Sequence, residues 1–173
     1  MSDLILTLMI VLLPTLTLNG KMIDNYIDNI DQLKMAINVA VDEKSNFTPH
    51  ISGGKNIYPL GRLIPYKDFL MLAFSHFDKS ETAYIGIGEY EQLLLRMWVE
   101  MRRVYAAKPI NLPFIGGGVT TINGLPEKNY TELLKCMLCT LRSSKFQADQ
   151  GITIVLTQEV INQFDMNSIK EEF

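Results

Sequence analysis

The sequence predicts an α/β layered sandwich with a mixed sheet. Three segments repeat apolar residues at the helical spacing, and short apolar runs typical of buried strands lie between them. The length of 173 residues fits one domain, because domains usually run to ~100–200 residues. Helices that alternate with buried strands pack as layers on a sheet, and ligands of such sheets usually bind beyond the carboxyl ends of the strands.

The first element is an apolar run over residues 4–18, in which eleven of fifteen residues are apolar and none is charged. A membrane-spanning helix needs ~20 such residues, and a signal peptide begins with basic residues that are absent here. The run therefore favours a buried strand that ends near Pro14. The composition changes abruptly at Asn19-Gly20, a turn signal. We divide the chain there into an atypical apolar segment, 1–18, and a domain, 19–173.

The next segments predict a helix, a loop and a hairpin. Residues 21–42 have the apolar spacing of an amphipathic helix, with acidic residues in the early turns, where the helix dipole favours them. Residues 43–56 are polar and rich in glycine, as in a surface loop. Two strand-like runs, 58–64 and 69–74, are joined by Pro65-Tyr66-Lys67-Asp68 and predict an antiparallel hairpin.

The second half continues the alternation. Residues 88–106 show the longest helical pattern, which Lys108-Pro109 ends, and residues 110–114 predict a short strand. A third helix carries the apolar face from Tyr130 to Leu141. Residues 152–156 are continuously apolar, which is typical of a buried strand. Residues 165–172 predict a last short helix.

Composition excludes several classes of protein. The chain has 16 basic and 19 acidic residues, a net charge of −3, whereas a nucleic-acid-binding protein usually has a basic face. Cys136 and Cys139 are too few for a secreted disulfide scaffold. Their C-x-x-C spacing resembles a redox or half-zinc motif, but it falls in a helical pattern without a second ligand pair. We therefore predict reduced, buried or half-buried thiols, no metal site and a cytoplasmic location.

The segment from Pro109 to Thr121 is the strongest candidate for ligand binding. A predicted strand ends there in Gly116-Gly117-Gly118, and the hydroxyl residues Thr120 and Thr121 follow. Glycines let the backbone approach a ligand closely, and consecutive amides can form a nest for phosphate oxygens. A diphosphate would then need no Lys or Arg, and Gly117→Val would lower affinity before stability. The spacing matches neither a P-loop nor a dinucleotide fingerprint, so a ligand-free tight turn stays open.

His76 is the second candidate, within Phe74-Ser75-His76-Phe77-Asp78 at a predicted strand end. It could act as an acid or base oriented by Asp78. However, no set of residues supplies a nucleophile, a base and an oxyanion stabiliser together. The pattern therefore favours a histidine that lines a binding site. Tyr84, after the next loop, is the candidate for contact with an aromatic ring of a ligand.

Five stretches in order carry a resemblance to a known family. They are residues 18–28, 58–64, 69–78 and 105–118, and the end 152–156 with 164–166. Together they resemble the macro-domain-like effectors of bacterial Thoeris anti-phage systems, a family also described as a macro-like domain of unknown function. The resemblance covers roughly residues 18–170. The ordered set is more specific than the glycine motif alone.

The resemblance implies a macro-domain-like three-layer α/β/α sandwich with a mixed sheet. It also implies a non-enzymatic sensor, without cofactor or catalytic residues, that binds ADP-ribose or an ADP-ribose conjugate made by a TIR-domain protein. Homo-oligomers, and membrane association through an upstream anchor, are left open. The implied ligand-binding residues are Phe74, Ser75, His76, Phe77, Phe114, Ile115, Gly116, Gly117, Gly118, Val119 and Thr120.

The opening of the chain departs from that family. Its members carry a polar, acidic segment before the Asn-Gly motif, where this chain has the apolar run 4–18. We therefore expect a truncated or frame-shifted relative in which part of the ligand cleft is missing. Two alternatives follow: a macro-type ADP-ribosyl hydrolase that uses His76 or Asp78, and an interaction module with a vestigial site.

Overall fold

The computed structural model describes residues 6–10, 23–42, 50–52, 55–80, 82–125 and 127–173. The strands are β1 Leu6–Ile10, β2 His50–Ser52, β3 Lys55–Ile57, β4 Leu63–Tyr66, β5 Phe69–Leu72, β6 His76–Phe77, β7 Ala83–Gly86, β8 Ile110–Pro113, β9 Thr121–Asn123 and β10 Ile152–Val155. The helices are α1 Ile30–Asp42, α2 Ile87–Val104, α3 Tyr130–Ser144, α4 Gln158–Ile161 and α5 Met166–Glu172.

Five strands form the main sheet in the order β10-β8-β1-β5-β4. The first four are parallel, and β4 pairs antiparallel with β5 at the edge, so the sheet is mixed. The parallel strands all end at the same side, which brings the segments after β5 and β8 together there. A smaller sheet, β6-β7-β9, lies at that side. The segment after β5 leads into β6, and the segment after β8 leads into β9. The sheet topology therefore builds a site between these two connections.

Helices cover both faces of the main sheet. Along β5 the side chains alternate: Leu70 and Leu72 join the larger core under α2 and α3, whereas Met71 joins a second core. Leu33 and Ile37 of α1 complete the second core. Alternating faces are what a strand buried on both sides requires. The predicted three-layer sandwich with a mixed sheet is confirmed.

The core between α2 and α3 fixes the two longest helices against each other. Trp98 and Met97 of α2 are fully buried, as the predicted apolar face requires. The Trp98 indole donates a hydrogen bond of 3.2 Å to the Thr140 hydroxyl of α3. Arg102, in the last turn of α2, donates to the Ser144 carbonyl at the end of α3. Buried indole N–H groups need such a partner, so this contact sets the register between the helices.

Some predicted elements differ in detail. The helix predicted over 21–42 is interrupted before Ile30, where α1 begins. The Asn29 side chain caps α1 by accepting the amides of Asp31 and Gln32. The predicted loop 43–56 contains β2 and β3 in its described part. The strand predicted at 152–156 lies at the sheet edge and is not fully buried. The hairpin of β4 and β5 is confirmed, although its turn is shorter than predicted.

The turn of that hairpin consists of Lys67 and Asp68, with Lys67 at a φ of 52°. Pro65, predicted in the turn, lies in β4 opposite Leu70. A proline cannot donate a ladder hydrogen bond, and it is therefore tolerated here because β4 is an edge strand.

The apolar N-terminal run contains β1, which lies between β5 and β8, so the predicted strand is confirmed for residues 6–10. Residues 11–22 lie outside the described part, and the boundary at 18/19 stays a prediction. None of the helices in the described ranges is both long and apolar enough to cross a membrane.

Candidate functional site

The centre of the site is the glycine loop, residues 114–120, which connects β8 to β9. Its first half is buried, whereas Gly118 and Val119 are exposed, with Val119 at 69%. The loop therefore leaves the core after Gly116, is exposed at Gly118 and Val119, and returns to the core at Thr120.

Gly116 is the residue that allows the loop to turn. Its φ is +90°, a conformation that residues with a Cβ rarely adopt. A Cβ here would also lie 3.2 Å from Ile122 Cδ1 and 3.3 Å from Tyr90 Cε2. Both the backbone and the neighbouring side chains therefore require glycine.

The other two glycines differ in their surroundings. A Cβ on Gly117 would lie 2.5 Å from Cδ1 of Phe114, whose ring packs against Phe164 and Tyr130 in the core. A Cβ on Gly118 would meet nothing within 4 Å. The expectation that Gly117→Val affects affinity before stability is therefore wrong, because that side chain would displace the Phe114 ring. Gly118 is the position at which the backbone is open to a ligand.

Tyr90 of α2 links the two halves of the site. Its hydroxyl donates a 2.8 Å hydrogen bond to the Ile115 carbonyl, and its ring meets that of Phe74 edge-on at 6.3 Å. Tyr90 is fully buried, and burial raises the pKa of its hydroxyl well above the usual value. The hydroxyl therefore stays protonated and remains a donor. One side chain thus ties the segment after β5 to the glycine loop.

The small sheet brings His76 beside the end of the glycine loop. His76 of β6 lies opposite Tyr84 of β7, and Tyr84 lies opposite Thr121, the first residue of β9. Because neighbouring strands are ~4.8 Å apart, His76 and Thr121 are separated by roughly 10 Å along this row. The His76 and Tyr84 rings are 5.5 Å apart. The two candidates predicted separately therefore belong to one region.

The acidic partner of His76 is Glu89. His76 Nε2 lies 3.0 Å from Glu89 Oε1, and Glu89 Oε2 accepts the Gly86 amide at 2.9 Å. The Gly86 amide, followed by His76, lowers the pKa of Glu89. Asp78, the expected orienter, instead accepts the amides of Ser80 and Thr82, so that expectation is wrong.

Glu89 was detectable only as an acidic residue in the first turn of the helix after β7, a position that pattern analysis attributes to the helix dipole. Asp78 accepts main-chain amides a few residues ahead, as aspartates in turns commonly do.

Lys128 is a further residue at the loop, and sequence reasoning missed it. Its ammonium donates to the Gly118 carbonyl. The side chain is half-buried, and burial lowers its pKa. Within the described residues, the amides of Gly118 and Val119 have no hydrogen-bond acceptor. The open half of the loop thus combines free donors with a nearby cation.

The predicted ligand-binding residues fall into two groups. The buried group forms the floor of the site: Phe74, Phe114, Ile115, Gly116 and Thr120. The group with accessible surface is Ser75, His76, Phe77, Gly117, Gly118 and Val119. The structure brings both groups to one end of the sheet, and their role in binding stays a prediction.

The cysteines play no part in this region. Both cysteines lie half-buried on α3, as predicted, and their reduced state stays a prediction. Burial, followed by the charges of Glu91 and Cys139, raises the pKa of Cys136 to about 11. Across the described ranges, no three metal-ligating side chains form a cluster.

The raised pKa makes Cys136 slow to alkylate. In the Cys139→Ser protein we expect iodoacetamide to alkylate Cys136 at pH 8 about 100-fold more slowly in the native state than in the urea-unfolded state. The thiolate is the nucleophile, and a raised pKa lowers the fraction of Cys136 that is thiolate. The native rate should rise with pH up to about 11. Mass spectrometry of quenched samples measures both rates. Equal rates would contradict the burial of this thiol.

Comparisons with known proteins agree on one family. A family model described as the macro domain of Thoeris protein ThsA matches residues 11–157. Thoeris protein ThsA of Bacillus amyloliquefaciens (strain Y2) is 32% identical over 164 residues, which take in 90% of this chain and 54% of that protein. The chain therefore spans about half the length of this curated relative. The matched range includes the glycine loop, Tyr90 and Lys128.

Proposed function

This chain belongs to the family of Thoeris ThsA macro domains, and we propose from that membership that it binds an ADP-ribose-derived nucleotide as a non-enzymatic sensor in anti-phage defence. The family expected from the ordered motifs is thereby confirmed. The sensor role, the ligand and the absence of catalysis are the proposal.

One observation carries the ligand proposal: the exposed half of the glycine loop offers unpartnered amides. Within the described residues, the amides of Gly118 and Val119 bond to no protein acceptor, and nothing lies close to the Cβ position of Gly118. Backbone amides in such a turn are suited to the oxygens of a phosphate. These free amides support our proposal that the diphosphate of ADP-ribose binds here.

The remainder of the nucleotide would lie along the small sheet. The half-buried rings of His76 and Tyr84 stand 5.5 Å apart, on the row that ends at Thr121 beside the loop. Aromatic rings with accessible faces can stack on a base or contact a ribose. Ser75 is also half-buried in this region and offers a hydroxyl.

In the proposed role, a TIR-domain protein makes the nucleotide signal in the cytoplasm and this domain detects it. A conjugated group on the ribose would distinguish the signal from free ADP-ribose.

Isothermal titration with ADP-ribose and its amino-acid conjugates tests the proposal. We expect heat from the wild-type protein and at least a tenfold loss of affinity in Gly118→Val, because the added methyl groups cover the open backbone. Gly88→Val is the matched control, since a Cβ on Gly88 also meets nothing within 4 Å. Both variants should unfold at the wild-type urea concentration.

No heat from any nucleotide would overturn the proposal and favour an interaction module with a vestigial site. Equal affinity in Gly118→Val and Gly88→Val would contradict the placement of the diphosphate on the glycine loop.

The pair of His76 and Glu89, 3.0 Å apart, favours a macro-type ADP-ribosyl hydrolase as the second candidate. A histidine held by a carboxylate can act as a general acid or base. Release of ADP-ribose from an ADP-ribosylated protein separates the two functions. Turnover that His76→Gln abolishes would replace the sensor with the hydrolase, whereas binding without turnover supports the sensor.

A further inference from the structure

We infer that Lys128 is a direct ligand of the anionic group bound at the glycine loop. This inference rests on the proposed function and adds a binding residue to it. Sequence reasoning held that the amides alone would suffice, without Lys or Arg. The surroundings of Lys128 indicate that a cation takes part.

The charge of Lys128 is not balanced by any of the described residues. Three lysines with described side chains are half-buried: Lys108, Lys128 and Lys135. Lys108 pairs with Asp68, and Lys135 pairs with Glu132 and Glu172. No carboxylate of the described residues lies within ion-pair distance of the Lys128 ammonium. A partly desolvated cation is costly unless a counter-charge compensates it, and a bound anion would supply that charge.

Lys128 also lies against the exposed part of the glycine loop. The Lys128 ammonium donates one hydrogen bond to the Gly118 carbonyl. An ammonium has three donors, so two remain for other acceptors. The free amides of Gly118 and Val119 belong to the same short stretch of backbone. The Lys128 ammonium therefore lies at the exposed part of the loop, beside a stretch of backbone with free donors.

The two residues that follow Lys128 hold its backbone in place. The next residue, Asn129, caps α3 by accepting the Glu132 amide at 3.2 Å. Tyr130 then packs its ring 6.0 Å from that of Phe114, at the start of the loop. The backbone that follows Lys128 is therefore fixed next to the loop, which lowers the cost of ordering its side chain on binding.

Titration of Lys128→Met with ADP-ribose and with inorganic pyrophosphate tests the inference. We expect the variant to bind both about 10- to 100-fold more weakly, as for the loss of a charged hydrogen bond. Lys128→Arg should recover part of the affinity. Added salt should weaken binding by the wild type more than by Lys128→Met, because one charge pair is screened only in the wild type.

Lys170→Met is the control, because it removes the same charge from an exposed site on α5. It should change neither affinity nor salt dependence. Unaltered urea unfolding of all variants excludes a general loss of structure.

The outcomes separate the inference from the proposed function. If the wild type binds ADP-ribose and Lys128→Met binds it equally well, the inference is wrong and the proposed function stands. If the wild type binds neither ADP-ribose nor its amino-acid conjugates, the proposed function is wrong, and pyrophosphate then decides about Lys128. Tighter binding of pyrophosphate by the wild type than by Lys128→Met supports the inference, and equal or absent binding overturns it.

Discussion

Gly116→Val is expected to lower the free energy of unfolding by about 2–6 kcal/mol. A residue held at positive φ costs about 1–3 kcal/mol when it is not glycine, and an added side chain in a packed site costs about 1–3 kcal/mol more. Both terms apply, because Gly116 has a φ of +90° and its Cβ would crowd Ile122 and Tyr90. Since small domains are stable by about 5–15 kcal/mol, the variant would keep only a small free energy of unfolding.

Urea denaturation followed by tryptophan fluorescence measures the effect, because the one tryptophan, Trp98, lies in the core. Gly118→Val, two residues along, is the control and should change stability by less than about 0.5 kcal/mol. A Gly116→Val protein as stable as the control would mean that the loop does not adopt the turn described above.

Tyr90→Ala is expected to cost about 3–5 kcal/mol, the usual range for removing a large buried aromatic side chain. Tyr90→Phe keeps the ring and removes only the hydroxyl, which leaves the Ile115 carbonyl without its donor and costs about 1–3 kcal/mol. Because that hydrogen bond holds the start of the glycine loop, Tyr90→Phe should also weaken nucleotide binding severalfold.

Tyr66→Phe is the control for the general effect of removing a hydroxyl from a buried tyrosine. Tyr66 is buried in the second core, on the other face of the sheet, and its hydroxyl bonds to none of the described residues. It should therefore change neither stability nor affinity by much. Denaturation and titration of the three variants check both effects. Equal losses in Tyr66→Phe and Tyr90→Phe would contradict a specific role for the Tyr90 hydroxyl.

Elements with a strong local signal were predictable from the sequence. The apolar spacing over α2 and α3 predicted both helices, and the glycine motif after β8 predicted the loop. β7 and β9 were missed because β7 leads directly into α2 and β9 contains only one apolar residue, Ile122. Their pairing with each other depends on the fold.

The contacts that complete the site depend on the fold rather than on neighbouring sequence. Tyr90 and Ile115 are 25 positions apart, and Glu89 replaced the nearer Asp78 as the partner of His76. Lys128 follows the glycines by ten positions in a segment without a pattern of its own. Chain proximity favoured Asp78, but its carboxylate was already occupied by the amides of its own turn.

Pro65 has a consequence for how further copies of this chain could add strands. In the described part of the chain, β4 and β10 are the two outer strands of the main sheet. Because Pro65 has no N–H, β4 offers an incomplete template for another strand, a feature that discourages edge-to-edge aggregation. β10 contains no proline and has an outward-facing valine, Val155. We therefore expect a strand of another copy to pair with β10 rather than with β4. Pro65 removes one backbone N–H from β4, whereas every residue of β10 has one.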